Sequence, residues 1–398
     1  MSALFAELGL TRVINATGTV TRLGASRIAP EVVAAMAAAA ECSVDIADLQ
    51  GRASDIIARH TGAEAGIVTA GAMAGLLVGT AACLTGLDPV KMSRLPDSTG
   101  MRNEFIVPRS HRNSYDHGVL AAGARLVEVG FGDRSNGCGV RDTEAWEIDS
   151  AITERTAGIV YFAHAGASPP LSEVIEVAGR AQLPVLVDAA AELPPASNLR
   201  RFIDEGADLV VFSGGKGIGG PAATGILCGR RALVGAALLQ QLDLDYTYAD
   251  WNPPANLIDK RQLPGVPRHG IGRPCKVGKE QIVGLLTALQ RFCATSDAER
   301  NREFARITGV LLREIPAAQG FSVRAIHDAA HGDMPLVEVT VSGALTAAEA
   351  AARLRATTPA IHVDATQADA GRLLLVPTCL TVQDAAAIGG AFARIAAR

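Results

Sequence analysis

Apolar residues run through this chain in two rhythms. Short apolar runs alternate with longer stretches in which apolar positions recur at helical spacing. After an extended, turn-rich lead-in at Arg12–Leu23, Pro30–Ala40 reads as a helix with proline in its first turn, and Ser54–Thr61 continues helically toward Gly62. Strands are expected at Gly66–Thr69, Glu104–Val107, Arg125–Val129, Gly158–Phe162, Pro184–Val187 and Leu209–Phe212. Helical stretches fall between them, from about Met73 and at His117–Ala122, Leu171–Ala181 and Leu199–Glu205. Ile226–Cys228 reads as one further strand, to which an antiparallel direction is open. Short apolar strands alternating with helices predict an α/β class with a mostly parallel sheet covered on both faces.

Pro253–Pro274, rich in Pro, Gly and Arg, reads as a long irregular connection, and such connections in compact enzymes usually serve function. Gly278–Cys293 is again helical. Beyond it the rhythm changes. Leu336–Val341 alternates like a half-buried strand, Ala347–Arg355 is helical, Ala360–Val363 and Arg372–Val376 are strands, and Val382–Ala397 is a terminal helix. This order predicts a small α+β domain. The expected organisation is an N-terminal segment over 1–40, a large domain over 41–292 and a small C-terminal domain over 293–398.

Composition narrows the classes. With 398 residues, 48% hydrophobic and 20% charged, the chain has enough core for two or three domains and is not intrinsically disordered. Lys+Arg 37 against Asp+Glu 41 leaves a net charge of -4 and no basic footprint for nucleic acid or an anionic membrane. Aromatics at 4% argue against base-stacking platforms. Cys42, Cys83, Cys138, Cys228, Cys275, Cys293 and Cys379 are odd in number and widely spaced, without a CxxC, so reduced thiols in a cytoplasmic protein are expected. The opening MSALFAELGLTRVINATG has no basic region followed by an apolar one, and no secretion signal is expected. The uncharged run Ala65–Leu87 is long enough to span a bilayer and carries Gly71, Gly75 and Gly79 at GxxxG spacing. It is rich in Ala, Gly and Thr and lacks flanking cations and interfacial aromatics, so it reads as a buried strand, a glycine turn and a buried helix.

The candidate chemistry gathers at predicted strand ends. Ser213-Gly-Gly-Lys216-Gly-Ile-Gly-Gly-Pro221 follows the strand LVVF, which places Lys216 where ligands bind in parallel α/β sheets. A lone lysine there is ordinarily a solvated loop cation. Three companions change that reading. Asp188 ends the strand PVLV, where a carboxylate can hold a pyridine ring nitrogen protonated or simply cap a helix, and Ala190 is small enough to pack on a ring face. The turn Thr69–Gly75 lets Gly71, Ala72 and Met73 present backbone N–H groups to a phosphate, although neither a Walker lysine nor a strict GxGxxG is present. His111, after the strand FIV, can stack on a ring or move protons, or be a plain loop histidine.

The sequence resembles the fold-type I (aspartate aminotransferase-like) pyridoxal-phosphate enzymes, within the selenocysteine synthase-like group. That group holds L-seryl-tRNA(Sec) selenium transferase and D-glucosaminate-6-phosphate ammonia-lyase, and the chain looks most like the latter branch. The segments that carry the resemblance are INATGTVTRLG (Ile14–Gly24), VDIADLQ (Val44–Gln50), TGAEAGIVTAGAMAGL (Thr61–Leu76), PRSHRNSYDH (Pro108–His117), PVLVDAAAE (Pro184–Glu192), FSGGKGIGGPAATGIL (Phe212–Leu227) and GIGRPCKVGKEQIVGLL (Gly270–Leu286). The resemblance implies pyridoxal 5'-phosphate as cofactor and a homo-oligomer. It implies that Lys216 forms the Schiff base and moves the α-proton, that Asp188 pairs with the ring nitrogen and that His111 stacks on the ring. Gly71, Ala72, Met73 and Ser213 would hold the phosphate. Arg273 would take a substrate carboxylate or phosphate, and its planar fork suits either anion. His164 and Ser168 could reach cofactor or substrate, Arg109, Arg112, Arg268 and Lys276 are candidates for a distal phosphate, and Asp45 and Asp48 could approach from the N-terminal side.

The reaction that follows is α,β-elimination with deamination of a small amino acid or amino sugar acid, through a Lys216 aldimine and a quinonoid. The alternatives are a selenocysteine synthase-like transferase, or a racemase or aldolase on the same scaffold. With INATG beginning at Ile14, LGA at Leu23–Ala25 where the family has LGR, and the acidic balance, a tRNA partner is not expected. A dehydrogenase would need a glycine fingerprint that is not convincing here. A metal site at His327 and His331 lacks the catalytic Glu, and no metal is expected.

Overall fold

The structure, a computed structural model, describes residues 3–131, 142–316 and 320–396, so Cys138 lies outside the described residues. The chain forms two compact units, one of Met1–Arg27 with Ala294–Arg398 and one of Ile28–Cys293. Strand β1 (Val13–Ala16) belongs to the first. The second holds β2 (Ala65–Thr69), β3 (Glu104–Pro108), β4 (Arg125–Val129), β5 (Thr156–Phe162), β6 (Val185–Asp188), β7 (Leu209–Ser213) and β8 (Gly225–Gly229). The first unit is completed by β9 (Phe321–Asp328), β10 (Met334–Val341), β11 (Ala360–Val363) and β12 (Arg372–Leu375).

In the larger unit the strands form one sheet in the order β2-β8-β7-β6-β5-β3-β4. Only β8 runs against its neighbours, antiparallel to both β2 and β7. The remaining pairs are parallel, so β2, β7, β6, β5, β3 and β4 all end on one edge. Both faces are buried, which is why these strands read as unbroken apolar runs. Val68, Ile106, Ile159, Val187 and Phe212 face one layer, packed with Ile57, Val174, Phe202 and Leu285 from helices. Ile67, Phe105, Val160, Leu186 and Val211 face the other, against Leu76, Val119 and Leu238. The uncharged run Ala65–Leu87 divides into β2 and the helix Ala72–Thr85. A Cβ at Gly75 would meet Val211 at 3.0 Å, so the glycine lets this helix lie close on the sheet. Among the described residues no helix is long and apolar enough to cross a membrane.

The smaller unit has an antiparallel sheet in the order β12-β10-β9 and a parallel pair β1-β11. Its core includes Phe321, Val337, Leu373 and Phe392, the two phenyl rings meeting edge-on at 5.3 Å.

Several expectations need correction. Residues 1–40 are not one segment. β1 pairs with β11, from Val13 opposite Ala360 to Ala16 opposite Val363, whereas the helix Pro30–Ala40 buries Val32 in the core of the other unit. The unit boundaries accordingly fall at 27/28 and 293/294. The helix expected at Ser54–Thr61 starts at Ile46, capped by Asp45. Helices Arg231–Gln241 and Asp297–Glu314 and strand β9 were not expected. His327 lies on β9 and His331 in a short turn beyond it, so helical i,i+4 spacing does not apply; His331 Nδ1 sits 2.7 Å from Asp328 Oδ2.

Candidate active site

Lys216 stands at the tip of the β7–β8 hairpin. Ser213 pairs with Gly225 at its base, Gly214 N–H donates to Thr224 O (2.9 Å) and Gly220 N–H to Gly214 O (2.8 Å), closing the loop on itself. Gly219 N–H donates to Lys216 O (3.0 Å). The flanking glycines are there because nothing larger fits. A Cβ on Gly214 would meet Thr224 Oγ1 at 2.2 Å, one on Gly215 the Ala222 backbone at 2.6 Å, and one on Gly217 the Leu193 carbonyl at 2.3 Å. Gly225 is pressed in the same way on the phosphate turn, where its Cβ would meet Gly71 C at 2.6 Å and Ala72 N at 2.8 Å. The hairpin therefore brings Ser213 and the turn Gly71–Met73 to the same edge.

That turn opens the helix Ala72–Thr85. Gly71 has φ +103°, a conformation that favours glycine, and nothing lies within 4 Å of where its Cβ would be. Thr69 Oγ1 donates to Gly71 O (2.9 Å) and fixes the turn. Gln50, fully buried, donates to Val68 O (2.8 Å) and accepts from Val68 N–H (2.9 Å), pinning the end of β2. Gln50 was not among the expected site residues, because its partner lies on a strand 18 residues away.

Asp188 ends β6 beside β7, with Ala189 N–H donating to Val211 O (2.9 Å). Its carboxylate accepts from Ala190 N–H at 2.9 Å. Burial pushes its pKa up, while the Ala190 N–H and the positive charge of Lys216 pull the other way. His111 follows β3 in a short turn and is 1% exposed. Its ring meets Tyr161 edge-on at 4.6 Å and His164 at 5.4 Å. Among the described residues neither ring nitrogen has a hydrogen-bond partner, although the Ser168 backbone lies close enough to favour its charged form slightly. Burial, helped by His164, lowers its pKa to about 4, so the imidazole is neutral at neutral pH. Tyr161 escaped the sequence reading because it sits inside an apolar strand; its hydroxyl donates to Pro169 O (3.2 Å), and burial raises its pKa to about 12.

Lys216, Asp188, Ser213, Ala190, His111, His164 and the Gly71–Met73 turn thus share one edge of the sheet. Other expected residues are engaged elsewhere. Arg109 is exposed, 3.6 Å from Glu128. Arg112 Nε lies 2.5 Å from the buried Asp116 and also contacts Glu128. Arg273 Nη2 lies 2.5 Å from Asp243 Oδ2, beyond the helix Arg231–Gln241. The Asp45 carboxylate caps its own helix, accepting from Ala47 and Asp48 N–H groups.

The group on the sheet edge fits pyridoxal phosphate. A buried carboxylate needs a cationic donor, and a glycine turn at a helix N-terminus offers N–H groups to a phosphate.

Comparison with known proteins agrees with the geometry. A family model described as L-seryl-tRNA selenium transferase (SelA) matches residues 13–245. A 5'-C-glycyluridine monooxygenase-decarboxylase from a Streptomyces species is 32% identical over 390 residues, 95% of this chain and 88% of that protein. D-glucosaminate-6-phosphate ammonia lyase from Salmonella typhimurium is 34% identical over 297 residues, 73% of this chain and 70% of that one. The solved structure of a D-glucosaminate-6-phosphate ammonia-lyase matches with a TM-score of 0.79 at 29% identity, over 100% of this chain and 99% of that chain.

Proposed function

The chain belongs to the SelA-like family of fold-type I pyridoxal-phosphate enzymes, and from that premise we propose that it is a lyase. Its reaction is α,β-elimination and deamination of a small amino acid or amino sugar acid of the D-glucosaminate-6-phosphate kind. The observation that carries this reading is the convergence of Lys216, Asp188, His111 and the Gly71 turn on one sheet edge, in a chain that matches an ammonia-lyase structure from end to end.

Gly71, Ala72 and Met73 N–H groups and the Ser213 hydroxyl hold the cofactor phosphate. Asp188 accepts from the ring nitrogen, and His111 and Ala190 bound the ring. Pyridoxal phosphate, when bound, supplies an electron sink for charge left at Cα. Lys216 anchors the cofactor and, once displaced by substrate, takes the Cα proton on Nζ. The neutral His111 leaves Asp188 to the ring nitrogen. Of the residues expected to hold the anionic ends of the substrate, His164 stands on this edge beside His111, whereas Arg109 and Arg273 are held by Glu128 and Asp243. Departure of the β-substituent with the electron pair of its bond, then addition of water at C2 and loss of ammonia, would give the 2-keto product. The same reading has the chain acting in the cytoplasm as a homo-oligomer, with a small molecule and not nucleic acid as partner.

The test is ammonia and 2-keto acid release from D-glucosaminate-6-phosphate and a panel of β-substituted amino acids. Lys216→Ala is expected to remove both turnover and the borohydride-reducible attachment of pyridoxal phosphate. A wild-type protein that takes up no pyridoxal phosphate overturns the reading. The oxygenase relative favours a second reading, oxygen-dependent decarboxylation, because it aligns over 95% of this chain. Turnover that persists without oxygen and releases no carbon dioxide supports the lyase; consumption of oxygen supports its rival.

A further inference from the structure

The opposite edge of the same sheet holds a cavity of about 320 Å³. It lies below the starts of β3, β5 and β6, next to the end of the antiparallel β8. Lys91, Arg102 and Arg230 line it, and among the described residues no carboxylate does. Leu84, Leu183 and Leu233 supply apolar wall.

The cations differ in what they already hold. Arg230 Nη1 sits 3.0 Å from Asp208 Oδ1. Arg102 Nε donates to Thr156 O (2.8 Å), which orients the guanidinium and leaves its charge unbalanced. Neither Arg102 nor Lys91 has a carboxylate within ion-pair distance among the described residues. Cys83 adds no negative charge, since burial pushes its thiol up to about 12. Lys91 and Arg102, without a carboxylate partner among the described residues, line the cavity with the Asp208-paired Arg230 above apolar wall and make a receptor for an anion with an apolar body.

We propose that this cavity binds a small organic phosphate monoester, its phosphate between Lys91, Arg102 and Arg230 and its apolar body against Leu84, Leu183 and Leu233, at a site separate from Lys216. The site does not depend on the lyase reading, because none of its residues lies on the catalytic edge.

The test is calorimetric titration of phenyl phosphate into the full-length protein saturated with pyridoxal phosphate, which keeps the probe out of the Gly71 turn. Wild type is expected to bind saturably and more tightly than it binds inorganic phosphate. Lys91→Glu removes a donor, and Ala232→Glu places a carboxylate on the cavity wall; both positions are exposed, so both variants are expected to fold. Each is expected to weaken binding about tenfold or more, roughly what one charge-assisted contact contributes. Unchanged affinity in both variants, or no saturable binding by wild type, overturns the proposal. Equal affinity for inorganic phosphate removes the apolar half of it.

Discussion

Gly215→Ala isolates the steric control of Lys216. Gly215 is not among the positive-φ glycines, so its backbone suits alanine and only space is at issue. The added Cβ would lie 2.6 Å from Ala222 Cα, 3.0 Å from Ala222 O and 3.2 Å from Ala222 C. All three are backbone atoms, and no rotamer change moves them. Restoring even a tight 3.4 Å contact needs a shift of 3.4 − 2.6, or about 0.8 Å, between two strands of one hairpin loop. Overpacking of this kind costs about 1–3 kcal/mol, read as a fall of a few degrees in the thermal midpoint. The neighbouring Lys216 moves with the loop, and a misplacement near 1 Å can lower turnover by about a hundredfold. Gly219→Ala is the control. Its φ of +75° strains alanine, but nothing lies within 4 Å of the new Cβ. It is expected to lose stability, about 1 kcal/mol, and to keep most of its activity. Measurement of kcat/KM and thermal midpoint for both variants decides the matter. A Gly215→Ala enzyme with wild-type values, or equal loss of activity in the two, refutes the reasoning.

Other consequences concern charge. His111 titrates at about 4 when folded against 6.5 when exposed, so the unfolded chain binds the proton more readily, and stability is lost as pH falls from 6.5 toward 4. The full shift is worth up to about 3 kcal/mol; urea midpoints across that window are expected to fall less steeply for His111→Phe than for wild type, and parallel profiles contradict this. Asp188→Asn keeps an acceptor for the Ala190 N–H and removes the charge, so kcat/KM is expected to drop by about a hundredfold or more while thermal stability changes little. Arg112→Ala strands the buried Asp116 and is expected to cost about 1–3 kcal/mol in a urea melt; an unchanged midpoint contradicts that.

The local rhythm of the chain revealed most of the larger unit because its strands are buried on both faces and its glycines sit at turns. β2, β6 and β7 and the residues that end them were legible for that reason. β1 was not, since its partner β11 lies at the far end of the chain and pairing at that distance leaves no local pattern. The helix Arg231–Gln241 is buried from Val234 to Gln241, so it carries no amphipathic stripe to mark it. The helix Asp297–Glu314 did carry a signal, the Ser296–Glu299 capping box, which was passed over. At the site, Lys216, Asp188 and Ser213 were readable as strand ends. The engagement of Arg273 by Asp243 was not, because it joins two irregular connections whose paths no periodicity encodes. The kinship with a monooxygenase-decarboxylase was also invisible, since one scaffold can host different reactions through a few side chains.

Those side chains share one electrostatic problem. Asp188 is buried, which disfavours its charge, and Lys216 is the cation that acts on it, while Glu192 opposes. His111 gives no help, being neutral down to about pH 4. Lys216 is therefore both the proposed base and a cation that, with the Ala190 N–H, favours the charged form of Asp188 against its burial. Removing it by Lys216→Ala leaves the carboxylate buried without that cation and raises its folded pKa further. An acid whose folded pKa lies above its unfolded value makes stability fall as pH rises through the interval between the two. Unloaded Lys216→Ala is thus expected to lose stability between acid and neutral pH more steeply than unloaded wild type. Added pyridoxal phosphate, whose ring N–H replaces the lost cation, is expected to restore part of it at neutral pH. Urea midpoints at acid and neutral pH, with and without the cofactor, measure this. Parallel profiles for the two proteins would mean that Lys216 does not support the Asp188 charge.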